Sequence, residues 1–219
     1  MKGLKILTAF FITIFFLASG CATPLVVSSN IKDAVLMGIK SNTKEKIAFE
    51  YKTKIQDGEI TPNAKDQEKG AAFLGSGFLA EKYSHTESAT FGKMVTEYLN
   101  NKFPNIQSNA LTKVVVSLED FTLENYAAES AGQQVLTKLV LTSRTTNFVF
   151  SAKVRVLVTV IRNNKEFTKI ITGTSEETEV SGGKGGRGFT PAQIHANNIY
   201  NANNKVLLLI NSYFQELGL

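Results

Sequence analysis

The pattern of apolar and polar positions is strongest between Phe148 and Val160. Phe148, Phe150, Ala152, Val154, Val156, Val158 and Val160 take every even position there, opposite Ser151, Lys153, Arg155 and Thr159. Apolar residues at period two predict one long half-buried strand. Asn163 and Asn164 tolerate positive φ and predict a two-residue primed turn into a strand over Glu166–Thr174, with Val160 facing Phe167 and Val156 facing Ile171. Lys46–Ile55 alternates Ile47, Phe49 and Tyr51 with Lys46, Glu50, Lys52 and Lys54, a second strand pattern. The β-branched run Val114, Val115, Val116 marks a strand over Lys113–Phe121, and Leu136–Ser143 reads as another. Ile31–Lys40 fits either helix or strand.

Two stretches change to helical spacing. Ser84 and Glu87 stand at capping-box distance, and Phe91, Met94, Val95, Tyr98 and Leu99 then share one face up to Pro104. The closing helix starts at Thr190 as cap with Pro191 in the first turn, and its stripe is Ile199, Ala202, Val206, Leu209, Ile210 and Tyr213. Asn197, Asn198, Asn201, Asn203 and Asn204 crowd its early turns. Asparagine is a poor helix former, so this half is expected to be frayed or held by partners. Asp57–Gly70, with Pro62, Asn63 and Asp66, reads as a loop, as does the small and polar Glu124–Gln134. Gly70–Ala80 is apolar but too short to cross a bilayer, and reads as a packed loop or short hairpin. The order of elements predicts an α+β domain, a mostly antiparallel sheet with helices packed on one face.

The N-terminus has a different logic. Lys2 and Lys5 precede an almost wholly apolar run, Ile6–Leu17, and then Ala18, Ser19, Gly20 and Cys21. A basic start, a short apolar stretch and small residues before a cut form a secretory signal. Cys21, directly after those small residues, resembles the lipobox of bacterial lipoproteins. That resemblance implies removal of residues 1–20, acylation of Cys21 and anchoring through its acyl chains. Ala22 rather than Asp follows; by likeness to the enterobacterial sorting pattern this implies delivery to the outer membrane, on its periplasmic face. The expected organisation is a signal peptide (1–20), an acylated tether (21–30) and a single periplasmic domain (31–219).

Composition narrows the chemistry. With 219 residues, 43% hydrophobic and 20% charged, the chain is not a disordered one. A single Cys allows no internal disulfide. Without residues 1–20, 22 Lys plus Arg stand against 19 acids, unevenly placed: 12 Lys and 14 acids up to residue 130, then 10 basic and 5 acidic residues. A basic second half suits anionic headgroups, lipopolysaccharide phosphates or an acidic protein partner. The export signal argues against nucleic acid.

Gly183, Gly185 and Gly188 have dinucleotide-loop spacing, with Lys184 and Arg187 between them. The parallel strand and acidic residue such a fold needs do not fit in the 31 residues that follow. The loop reads as a basic spacer, with Lys184 and Arg187 as candidate contacts to phosphates at a membrane surface. His85 and His195 are single imidazoles without a ligand-spaced partner, so no metal or other cofactor is expected. Glu119 with Asp120, and Glu176, Glu177 and Glu179, read as solvated carboxylates. No G-x-S-x-G elbow occurs; Gly75, Ser76, Gly77 is too short a match, and no catalytic residue is assigned.

Behind the lipobox come the helix before Pro104, the Val114–Leu118 strand, the Phe148–Val160 strand, the Asn-Asn hairpin and a closing helix. In that order the chain resembles the YajG-type outer-membrane lipoproteins and, more loosely, the auxiliary lipoproteins of envelope lipid transport and lipopolysaccharide assembly. The resemblance implies a non-enzymatic envelope lipoprotein, a binding or assembly accessory for an envelope protein or lipid. A surface adhesin or structural lipoprotein is the alternative.

Overall fold

The computed structural model describes residues 22–39, 45–64, 81–127, 146–181 and 190–219. The elements in chain order are β1 (Thr23–Pro24), α1 (Asp33–Met37), β2 (Ile47–Thr53), β3 (Gly58–Ile60), β4 (Asn63–Ala64), β5 (Tyr83–His85), α2 (Glu87–Lys102), β6 (Thr112–Ala127), β7 (Thr146–Arg162), β8 (Lys165–Ser181) and α3 (Pro191–Glu216). The fold is α+β, as the order of patterns implies. The main sheet runs β2-β6-β7-β8, with β4 added alongside the far end of β6, and a small second sheet runs β1-β5-β3.

The long hairpin forms for the reasons read from its residues. Every even position from Phe148 to Val160 is buried. Asn163 and Asn164 take φ of 52° and 58°, the left-handed values of a primed turn. Val160 pairs with Phe167 and Val156 with Ile171. The strand after the turn runs beyond Thr174 to Ser181, so Glu176, Glu177 and Glu179 lie on it. Beside the hairpin, β6 pairs antiparallel with β7, whereas β2 pairs parallel with β6. A parallel neighbour needs a crossover, and α2 lies within it.

A bulge at Leu118/Asp120 carries β6 past the expected end at Phe121. It inserts one residue and switches the buried set from Val114, Val116 and Leu118 to Phe121, Leu123 and Asn125. Residues 124–127, expected in a loop, are therefore strand. The bulge also parts the neighbouring acids: Glu119 joins Lys54, and Asp120 lies 3.6 Å from Arg155. Asp57–Gly70 is likewise not all loop, since β3 and β4 fall in it. Gly70–Ala80 and Leu136–Ser143 lie outside the described residues.

Both long helices cover the same face of the sheet. Phe91, Met94, Val95, Tyr98 and Leu99 of α2 join Ile199, Ala202, Val206, Ile210 and Phe214 of α3 over the even residues of β7 in one core. Leu209, assigned to the stripe, is 46% exposed and Leu207 takes the buried place. At Gly173 the helix α3 approaches so closely that an added Cβ would lie 2.3 Å from the Ala202 carbonyl oxygen.

The start of α2 corrects the capping box. Ser84 belongs to β5, the cap position is Thr86 without a side-chain bond, and Glu87 is the first helical residue, buried. Asp57, next to β3, takes over the role. Its Oδ1 accepts from the Ser88 N–H at 2.7 Å and its Oδ2 from the Ala89 N–H at 3.4 Å. Its charge sits where the helix dipole favours an anion.

Candidate functional site

The first described residues, within the expected tether, pair alongside β5. The Thr23 N–H donates to the Lys82 carbonyl and the Leu25 N–H to the Ser84 carbonyl, both at 2.9 Å, and the Thr23 hydroxyl bonds Glu81 at 2.6 Å. Leu25 is buried. Only Ala22 separates this docked strand from Cys21, and two residues of extended chain reach at most about 7 Å. The end of the domain formed by β1 and β5 thus stays next to residue 21. Cys21 itself, and the loop of Lys184 and Arg187, lie outside the described residues.

Inside, where α3 begins, a polar seam crosses the core. Asn198 Nδ2 donates to the Phe150 carbonyl at 2.9 Å, and the Ser175 hydroxyl donates to Asn198 Oδ1 at 2.9 Å. Asn204 Oδ1 accepts from the Lys32 N–H at 2.9 Å and thereby fastens the segment ahead of α1. Farther along, Tyr98 donates to Asn211 Oδ1 at 3.0 Å, and Asn211 Nδ2 donates to the Gly38 carbonyl. The early turns of α3 are therefore not frayed: Asn198, Asn203 and Asn204 are buried. They are phased with Ile199, Ala202 and Val206, which is the sequence signal that would have found them.

The same seam holds both imidazoles. His195 is fully buried, 5.2 Å from the Tyr83 ring and 5.3 Å from that of Phe150, and neither ring nitrogen has a hydrogen-bond partner among the described residues. Burial lowers its pKa to about 4. His85 packs 5.1 Å from Phe121, and its Nδ1 accepts from the Glu87 N–H at 3.3 Å. Burial lowers its pKa also, opposed by the charge of Asp57. Tyr83 and His85 point inward from one strand, yet no metal-binding group of His, Cys, Asp or Glu forms among the described residues. Glu87 is buried, and among the described residues neither carboxyl oxygen has a hydrogen bond of ordinary geometry, the Asn203 side chain being only loosely placed against it. Burial pushes its pKa up to about 8; Asn203 opposes that shift and Asp57 adds to it. Burial thus favours the uncharged form of each group, the acid for Glu87 and the neutral imidazole for His195.

On the outer side of α2 an open groove of about 670 Å³ runs between Tyr51 and the residues Ser88, Gly92, Lys93, Thr96 and Asn100. The Tyr51 hydroxyl donates to the Ser88 carbonyl at 2.9 Å. Burial is the main cause that pushes its pKa up to about 12. The acids on the groove are Asp57, engaged as the helix cap, and Glu97, exposed. Such a lining can hold a ligand in place; among the described residues it brings no imidazole or thiol to it.

No family model matches the chain, and none of the curated proteins does. Solved structures do. A Xanthomonas campestris protein of the DUF330 family aligns with a TM-score of 0.44 at 8% identity, over 90% of this chain and 99% of that one. The rare lipoprotein B of Shewanella oneidensis aligns at 0.33 and 10%, over 80% of this chain and all of the other. These neighbours are of the DUF330 and rare lipoprotein B kinds, not specifically YajG. At such scores they are likenesses of the chain's path and carry no functional inference.

Proposed function

We propose that this chain is a lipid-anchored, non-enzymatic lipoprotein of the bacterial envelope, related to the YajG type, that holds an envelope protein or lipid near the periplasmic face of the outer membrane. The observation that carries this reading is the junction at Cys21. The only thiol follows an export signal and small residues, and the chain is paired into β5 from Thr23 onward. Acyl chains on Cys21 would hold the β1–β5 end of the domain directly against the headgroups, closer than a ten-residue leash would. Two acyl chains suffice for stable anchoring, at about 0.8 kcal/mol per buried methylene. Lys184 and Arg187 would then add contacts to anionic headgroups of about 1 kcal/mol each, weakened by salt.

The interior supports a binding rather than a catalytic role. His195 is walled in by Tyr83 and Phe150, and Asp57 is spent on a helix N-terminus. The open groove along α2 is accessible to a ligand. The test is to grow cells producing the parent chain or Cys21→Ser with a labelled fatty acid. The parent is expected to carry label and to sediment with outer membranes, and the variant to carry none. Equal label in both would contradict the reading.

A further inference from the structure

The first turn of α2 meets the middle of α3 at Glu87 and Asn203, and both side chains are buried. Three of their oxygens, Glu87 Oε1 and Oε2 and Asn203 Oδ1, have no hydrogen-bond partner among the described residues. Asn203 Nδ2 reaches the Met94 sulfur at 3.8 Å, and a thioether is a weak acceptor. With Glu87 ionised, this contact would set three acceptor oxygens against one donor group, away from water. One added proton changes the count. The acid O–H can donate to Asn203 Oδ1 while Asn203 Nδ2 donates to the other carboxyl oxygen, and all three oxygens are then met.

The charges around the contact do not favour a carboxylate. Asp57, ahead of β3, caps the turn from its open side and adds negative charge. Tyr51 of β2 donates its hydroxyl to the Ser88 carbonyl, and His85 of β5 accepts from the Glu87 N–H through Nδ1. Tyr83, also on β5, turns its hydroxyl to Glu81, and His195 lies two turns before Asn203 on α3. Burial lowers the pKa of both imidazoles, so above pH 7 neither supplies a cation. No ion pair reaches Glu87 among the described residues. We infer that Glu87 and Asn203 form a neutral acid–amide pair, a latch that holds the first turn of α2 on α3 and opens when its proton is lost. Ser88 follows in that turn and lines the groove along α2, so the latch also fixes the near wall of the groove.

The chain as purified from cells, labelled with ¹³C at its glutamate carboxyls, tests this by NMR. One carboxyl is expected to stay protonated at pH 7, and its signal to be missing from Glu87→Gln. Exchanging the two groups is the sharper test. Glu87→Gln together with Asn203→Asp rebuilds an acid–amide pair with the acid on α3, and each side chain keeps its length. In urea, the unfolding constant of the parent is expected to rise relative to that of Glu87→Gln by up to about 10-fold per pH unit between pH 6.5 and 8, where the folded state alone holds the proton and the imidazoles are common to both. The double variant is expected to follow the parent. Glu87→Gln alone pairs amide with amide and loses the rise, and Asn203→Asp alone sets acid against acid and is expected to be the least stable of the four at pH 8. A Glu87 carboxyl already ionised at pH 6, a Glu87→Gln profile equal to the parent's, or a double variant no more stable at pH 7 than Asn203→Asp overturns the inference.

Discussion

The β7–β8 hairpin and the seam at the start of α3 are neighbours in one core, yet they are built on opposite principles. The hairpin buries an unbroken series of apolar side chains, Ala152 through Val160, and each contributes in proportion to its area. The seam buries His195, Asn198, Asn203 and Glu87 among them, and some of their polar atoms have no partner among the described residues. The first region gains stability from its composition at any ordinary pH. The second ties segments far apart in sequence, such as Lys32 to Asn204 and Phe150 to Asn198, at the cost of a strong dependence on protonation.

The largest expected effect breaks the hairpin. Val156→Asp places an unpaired carboxylate at a fully buried position, which costs several kcal/mol against a total stability of about 5–15 kcal/mol. The variant is expected to be unfolded by circular dichroism.

Next in size is the pH response of the seam. Burial pushes the Glu87 pKa up to about 8, from an ordinary value of 4.5. Between those values the folded state holds more protons than the unfolded one, so this group makes stability fall as pH rises. His195 does the reverse. Its folded pKa of about 4 lies below 6.5, the unfolded state holds more protons in between, and stability falls as pH drops through that window. Glu87→Gln keeps the shape of the neutral acid and removes the titration. Its melting temperature is expected to exceed the parent's at pH 8, by the equivalent of a few kcal/mol, and to match it near pH 4. Equal pH profiles would mean that Glu87 is not held neutral inside the fold.

A smaller effect is expected where the two regions touch. Gly173→Ala forces a methyl against the Ala202 carbonyl and Val206, so α3 must lift from β8. Overpacking of this kind costs about 1–3 kcal/mol, readable as a lowered urea midpoint. The smallest belongs to Arg155→Asp, one position from Val156 on the open face. Its side chain is 46% exposed, so loss of the pair with Asp120 should change stability by less than about 1 kcal/mol.

These differences explain what was legible in the sequence. Period two decides burial for Val154 or Val158 without knowledge of any other segment, so the hairpin and its register could be read directly. Burial of Asn198 depends on Phe150 and Ser175, and that of Glu87 on the placement of α2 over the core. Neither dependence appears in a local pattern, and asparagines that looked like poor helix material proved to be fasteners. The cap of α2 comes from Asp57, some thirty residues upstream, where a local rule pointed to Ser84. The bulge at Glu119 hid the second half of β6 by reversing its alternation. For the candidate site, the sequence pointed to Cys21, but pairing of Thr23 with Tyr83 joins residues sixty apart and needed the fold.

Central to this account is that the domain is held at a membrane through Cys21. Mass spectrometry of the N-terminal peptide from the chain purified out of bacterial membranes tests it most directly. The account predicts a peptide that begins at Cys21 and carries diacylglycerol on the thiol and an acyl group on its α-amine; a peptide that begins elsewhere, or a Cys21 with no lipid on it, would contradict it.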